Sequence, residues 1–460
     1  MEQLPDDVLV QVMQYLSVDD VLACRLVCRR FEGPSMFREV WHRRRLVDDQ
    51  RPCVCAALRL APSLEAVLCS GHTSAFLATH CAVAELILVV EKDIHPDMYA
   101  QVVHNQEALG RLRRVEVRYA PGAQLGDRAD PDPLSVTLVR SSCLESLVFP
   151  KHVPYAPSPI PHKHRPARSS LKIFKCCLNE VNEYFVDAVL AGHAPTLEEV
   201  DLDGGFPFAL GTAKLLASMP KLERLKCDMI RDLEAVAACK TLKDMTLCIA
   251  SDYYPYFLSE GAAEFLRRAN HLHTLSIDFN FGDIDSGDRS LLLGALASSG
   301  GSLERLSVAL LDEDELQPLI DMLPRLPALR LLSISVDCDL LDAEALAGIT
   351  PATAPALRRL ELLEAGPQFC CCLHEWLHDG DGNAVKILDA NPSLHIHITE
   401  PIACKRRRCD ACAQGCHRQA EWNERGRLVL FAHDPDDCSS PEDHTADSTW
   451  TCVQIRSTPD

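Results

Sequence analysis

One short phrase, apolar-x-x-apolar-x-apolar, recurs along most of this chain and constrains its fold more than any other feature. It begins as Leu64-Val67-Cys69, Val83-Leu86-Leu88, Leu112-Val115-Val117, Leu144-Leu147-Phe149, Leu171-Phe174-Cys176 and Leu197-Val200-Leu202. It continues as Leu222-Leu225-Cys227, Leu242-Met245-Leu247, Leu272-Leu275-Ile277, Leu303-Leu306-Val308, Leu329-Leu332-Ile334 and Leu357-Leu360-Leu362. The last two apolar residues of each copy stand two apart, the period of a strand that buries one face. The residues between them are largely polar, as in Leu222-Glu223-Arg224-Leu225-Lys226-Cys227, so the other face is solvated. A doubly wound sheet, covered on both faces, would instead show continuous apolar runs. Between copies, residues 185–190, 213–219, 233–238, 262–269, 291–297, 316–323 and 343–347 are Ala/Leu-rich at helical spacing and predict helices.

A fixed strand followed by helical filler of variable length resembles a leucine-rich repeat, with a period similar to the ribonuclease-inhibitor type. That resemblance implies an α/β fold: a curved solenoid with parallel strands on the concave side and helices on the convex side. Two copies extend the phrase to the family's Asn position, at Asn179 and Asn280, and the others lack it. Strand alternation places Arg114, Glu116, Arg118, Glu199, Asp201, Asp203, Arg224, Lys226, Asp228, Asp244, Asp278, Arg305, Arg359 and Glu361 on the open face. Glu199, Asp201 and Asp203 form its densest single-sign cluster. With Arg224, Lys226 and Asp228 they are the candidate substrate-binding residues.

The first 41 residues are of a different kind. Val8, Leu9, Val12, Met13 and Leu16 recur at helical spacing, Pro5 suits a helix start, and Asp6 and Asp7 favour its positive end. Ser17 with Asp20 three residues on reads as the cap of a second helix beginning near Val18. So small a helical unit has more apolar surface than it can bury alone. The run Leu4-Pro5-Asp6-Asp7-Val8-Leu9, then Asp20-Val21-Leu22, Val27-Cys28-Arg29-Arg30-Phe31 and Trp41 resembles an F-box, with Phe31 where that family usually has Trp. The resemblance implies docking on the Skp-type linker of a cullin-based SCF ubiquitin ligase. By position, Leu4, Pro5, Val8, Leu9, Val12, Leu16 and Leu22 would make or support the contact.

The expected organisation is therefore an F-box at 1–46, a linker at 47–55, repeats over 56–400 and a Cys-rich, partly disordered tail at 401–460. Two insertions interrupt the repeats, near 120–133 and 150–170. The second holds six prolines and several basic residues without an acid, so it predicts extended chain where a helix would otherwise fall.

A net charge of −20 argues against nonspecific nucleic-acid binding, and no apolar run approaches a membrane span. The opening residues lack the basic and apolar regions of a secretory signal. The 22 cysteines are accordingly expected as reduced thiols, with the protein in the cytosol, the nucleus or both. In the tail, Cys404, Cys409, Cys412 and Cys416, beside His417, have spacing compatible with one zinc ion, although the paired second half of a RING is missing. The adjacent Lys405-Arg406-Arg407-Arg408 run is a weak nuclear-import signal, and Cys370-Cys371-Cys372 is too tight to chelate one ion. No Walker loop, His-Glu-x-x-His or Gly-x-Ser-x-Gly is present, and no resident cofactor is expected. The expected function is substrate recognition for an SCF-type ligase, with an unidentified protein substrate and no catalytic residues of its own. One alternative is a repeat scaffold or inhibitor that binds partners without promoting ubiquitination. Another, of a different class, is a thiol- or zinc-dependent enzyme built on the tail.

Overall fold

Every copy of the apolar phrase is a strand in the structure. The computed structural model describes residues 4–47, 54–70, 73–91, 95–120, 132–150, 156, 158–161, 168–204, 211–249, 256–279, 286–299, 301–311, 313–336, 342–364, 383–399, 428–438 and 451–454. The chain divides into two compact units, residues 1–222 and 223–460.

The first unit opens with helices α1 (Asp6–Gln14), α2 (Val18–Val27), α3 (Arg29–Ser35) and α4 (Arg38–Trp41). Ser17 caps α2 as expected, accepting from the Asp20 amide at 3.1 Å. A short strand β1 (Arg45–Leu46) then joins a parallel sheet. Its other strands are β2 (Ser63–Cys69), β3 (Ala82–Val90), β4 (Arg114–Tyr119), β5 (Ser146–Val148), β6 (Ile173–Lys175) and β7 (Glu199–Leu202), in chain order. The middle apolar residues stand in line across it: Leu46, Val67, Leu86, Val115, Leu147, Phe174 and Val200. Equal register stacks like side chains above one another, which is how repeats share one core.

The second unit repeats the plan. Strands β8 (Arg224–Asp228), β9 (Asp244–Ile249), β10 (Thr274–Phe279), β11 (Arg305–Leu311), β12 (Leu331–Val336), β13 (Arg359–Glu364) and β14 (His395–Thr399) are parallel and in chain order. Leu225, Met245, Leu275, Leu306, Leu332, Leu360 and Ile396 align across them. Across both units, none of the three apolar positions in any of the twelve phrases is more than 4% exposed.

The connecting helices are α5 (Val54–Leu60), α6 (Thr73–Leu77), α7 (Pro96–Ala108), α8 (Pro133–Arg140), α9 (Glu183–His193) and α10 (Thr212–Ala217) in the first unit. In the second they are α11 (Tyr256–Arg268), α12 (Ser286–Ser299), α13 (Glu313–Met322), α14 (Ala343–Ala347) and α15 (Asn383–Ala390). Within each unit the helices touch in chain order. They cover the apolar face of the sheet: Phe185 of α9 meets Phe149 and Phe174 edge-on, with ring centres 5.5 and 6.2 Å away.

Three local features depart from the sequence reading. Leu233–Ala238, expected as a helix like the others, is a 3-10 helix. Only residues 229–243 join β8 to β9, and the tighter 3-10 winding rises about 2.0 Å per residue against about 1.5 Å for an α-helix. Asp232, in the left-handed conformation at φ 61°, turns the chain into it. The buried amide of the Leu171 repeat is Asn182, fully buried, and not Asn179. Asn182 donates to the Cys177 carbonyl at 2.7 Å and accepts from the Asn179 amide at 2.8 Å. Strand β14 was not legible because Ser393 stands where other copies carry their first apolar residue, and Leu394 is buried one place later.

The described part of the 150–170 insertion holds no helix, as its prolines require. Ala156 and Ile160 are buried, and the Ala156 amide donates to the Val181 carbonyl at 2.8 Å. Asn280, Cys370 to Cys372 and most of the 120–133 insertion lie outside the described residues. In the tail, β15 (Leu428–Phe431) pairs antiparallel with β14, and β16 (Thr451–Gln454) pairs parallel with β15.

Candidate functional site

The four N-terminal helices separate the apolar residues of α1 onto two faces. Leu9, Val10 and Met13 point inward and are buried with Val18, Val21, Val40 and Trp41. Leu4, Val8, Val12 and Tyr15, at spacings of four, four and three, share the opposite face and are exposed, Tyr15 to 90%. Leu26 and Val27 at the end of α2 are 85% and 69% exposed, and Met36 and Phe37 between α3 and α4 are also open. This small unit thus leaves one apolar row outside its own core.

Of the residues expected to meet a linker, Leu4, Pro5, Val8 and Val12 are at the surface, Leu16 and Leu22 are half-buried, and Leu9 is core. Tyr15, Leu26, Val27, Met36 and Phe37, which are not among those expected contacts, are exposed as well. Leu26 and Val27 lie in the last turn of α2, whereas Tyr15, Met36 and Phe37 stand at helix ends, where helical periodicity gives no face.

Arg44 holds this surface in shape and was also missed. Its Nε donates to the Val40 carbonyl at 2.6 Å, Nη1 to Leu16 at 2.7 Å and Nη2 to Met13 at 2.6 Å. The guanidinium thus satisfies carbonyls at the C-terminal ends of α1 and α4, where the helix dipole favours a cation. It also lies 5.7 Å from the centre of the Trp41 ring, whose Nε1 donates to the Ser35 carbonyl at 2.6 Å.

The open face of the first unit's sheet is a ladder of opposite charges. Glu85 takes Arg45 at 3.0 Å and Arg114 at 3.8 Å, Arg118 meets Glu116 at 2.6 Å, and Lys175 meets Glu199 at 2.5 Å. Glu199 and Asp201 are half-buried and Asp203 is exposed. The acidic trio is therefore partly compensated by Lys175 on the neighbouring strand.

The corresponding face of the second unit carries a row of polar side chains, of which Ser333 and His397 are buried. Thr246, Ser276, Ser307, Ser333, Glu361 and His397 stand side by side on successive strands. Beside it runs the row Asp244, Thr274, Arg305, Leu331, Arg359 and His395, with Arg359 bonded to Glu361 at 2.6 Å. Arg224 is exposed and Lys226 half-buried, but Asp228 is only 2% exposed. By alternation Asp228 shares its side of β8 with Arg224 and Lys226, and it is the buried member of the three.

Among the described residues the cysteines are thiols and not disulfides. Burial pushes Cys69 and Cys81 up to about 12, and burial with the nearby Glu107 carboxylate raises Cys143 to about 11, so these thiols stay protonated; Cys69 and Cys81 serve as small apolar side chains, and Cys143 donates to Glu107 at 3.3 Å. Cys404, Cys409, Cys412, Cys416 and the basic run beside them lie outside the described residues. No described helix is long and apolar enough to cross a membrane.

Residues 1–46 match the family model of F-box-like domains. No curated protein matches the chain. Among solved structures, the chain is similar to the leucine-rich repeat-containing protein LegL7 from Legionella pneumophila, at 14% identity and a TM-score of 0.40, over 71% of this chain and 96% of that one. The chain thus joins an F-box-like domain at residues 1–46 to strand–helix repeats built on a leucine-rich phrase. F-box-like domains typically bind Skp-type linkers.

Proposed function

We propose that this chain is the substrate-recognition subunit of an SCF-type ubiquitin ligase. The observation that carries the reading is the apolar row Leu4, Val8, Val12 and Tyr15, left outside a unit whose interior is already filled by Leu9, Val10, Met13 and Trp41. The F-box-like unit docks on the linker, and through it on a cullin, while the open faces of the repeats hold a protein substrate. The chain's contribution is proximity: a substrate lysine kept near a loaded thioester gains effective concentration without any catalytic residue on this chain. The reduced thiols fit the cytosol or the nucleus.

The test is copurification of linker and cullin with the full chain and with a Val12→Asp/Tyr15→Asp variant. Both positions are exposed, so the variant should keep wild-type helicity and thermal midpoint while losing the linker. Undiminished linker binding by the folded variant would sink the docking face. Linker recovered without cullin would favour the scaffold or inhibitor alternative.

A further inference from the structure

The second unit brings two histidines and a cysteine together where its sheet reverses direction. His395 opens β14, His433 lies two residues beyond β15, and Cys438 caps a single 3-10 turn over Pro435–Asp437. One ligand atom from each of these three residues lies within 4.8 Å of the other two. The Cys438 Sγ to His395 Nε2 distance is 3.8 Å, and the His395 and His433 rings stand edge to face with centres 4.8 Å apart.

The histidines are also oriented as metal ligands are. His433 Nδ1 donates to the Pro392 carbonyl at 2.7 Å, and His395 Nδ1 donates to the Arg358 carbonyl at 3.3 Å. A carbonyl partner fixes the proton on Nδ1 in both rings, which makes Nε2 the metal-binding nitrogen of each. Backbone carbonyls are among the usual outer partners of zinc-binding histidines. The turn that carries the thiol is itself fixed. Asp434 Oδ1 accepts from the Asp436 amide at 3.1 Å, the Cys438 amide donates to the Pro435 carbonyl at 3.3 Å, and Gln454 of β16 donates to the His433 carbonyl at 3.1 Å.

We propose that His395, His433 and Cys438 bind a zinc ion that ties the reversing strand β15 to the last parallel strand β14. Two imidazoles and one thiolate are a borderline-soft set suited to zinc. Tetrahedral zinc with bonds of about 2.3 Å to sulfur and about 2.0 Å to nitrogen separates those donors by about 3.6 Å, close to the distance between Cys438 and His395. Binding exchanges the Cys438 thiol proton for the metal, so each zinc taken up releases one proton and affinity falls as the solution is acidified. Three protein donors leave the fourth position to water or one further donor. The site is separate in sequence from the tail thiols Cys404, Cys409, Cys412 and Cys416, and it requires no ubiquitin-ligase role.

The experiment compares four full-length proteins prepared without chelator: wild type, Cys438→Ser, His433→Gln, and a variant with all four tail cysteines changed to Ser. Zinc content is measured after equilibration with excess metal and desalting, and Co²⁺ is added separately to read thiolate-to-metal absorption. Expected are one zinc equivalent and a cobalt–thiolate band in wild type, both lost in Cys438→Ser, with zinc affinity lowered at least tenfold in His433→Gln. Because His433 and Cys438 are only partly buried, these variants should remain folded, checked by far-UV circular dichroism. Absence of stoichiometric zinc in wild type, its retention by Cys438→Ser, or a loss confined to the tail variant would each overturn the proposal.

Discussion

Arg44 donates through Nη1 to the carbonyl of Leu16 at 2.7 Å, joining residues 28 apart in sequence. The contact closes α1 against the end of the helical unit, and two further hydrogen bonds, to Met13 and Val40, share the same guanidinium. Arg44→Ala should destabilise the first unit by about 2 kcal/mol, since several charge-assisted bonds go at once. Arg44→Lys should recover little of this, because a point charge cannot serve three carbonyls set in a fork. Thermal unfolding of both variants checks the prediction.

Asn182 is a single polar residue on which a whole turn depends. Asn182→Ala removes the part-buried bonds to the Cys177 carbonyl and the Asn179 amide together with the buried contact to Cys176 Sγ at 3.4 Å. The expected cost is about 1–3 kcal/mol. Asn179→Ala, in which only the half-buried bond to the Val181 amide goes, should cost less. Denaturant melts of the two variants rank them directly.

Acid should expose an opposition between two groups of α9. Burial lowers His193 from its ordinary 6.5 to about 4, so the folded state keeps it neutral while the unfolded chain takes a proton. That difference removes stability as pH falls from 6.5 toward 4. Burial raises Asp187 from 3.8 to about 6, so the folded state holds the extra proton and stability rises as pH falls from 6 toward 3.8. The two trends offset each other between pH 6 and 4. In Asp187→Asn the histidine acts alone, and the thermal midpoint should drop relative to wild type across that window. Parallel curves for the two proteins would refute the assignment.

Arg289 and Glu315 form a buried ion pair at 3.2 Å between α12 and α13, with side chains 8% and 4% exposed. The Arg289 guanidinium also lies 5.1 Å from the centre of the Phe279 ring. Arg289→Met alone should cost about 3–5 kcal/mol by stranding a buried carboxylate. Arg289→Met combined with Glu315→Leu should recover most of that loss, because the pair's own desolvation disappears with it. A double-mutant cycle in urea measures the coupling.

Twelve strands and most of their covering helices were legible because burying one face imposes a two-residue period that a single sequence displays. The local exceptions share a cause. Ser393 breaks the apolar phrase while β14 still forms, since pairing with β13 and the burial of Leu394, Ile396 and Ile398 outweigh one polar position. The helix over residues 233–238 has the right composition but too short a connection, so chain length sets its winding.

The candidate sites divide along the same line. The sequence by itself determined that the first helices carry surplus apolar surface and that charged residues line one face of the strands, because both follow from spacing within an element. Only the tertiary structure decided which apolar residues of α1 are core and which are open, that Lys175 compensates Glu199, and that Asp228 is buried. It alone brought His395, His433 and Cys438 together, across 43 residues from the first to the last. Periodicity reports how a residue faces within its own helix or strand, whereas a site assembled from separate segments depends on where the chain returns in space.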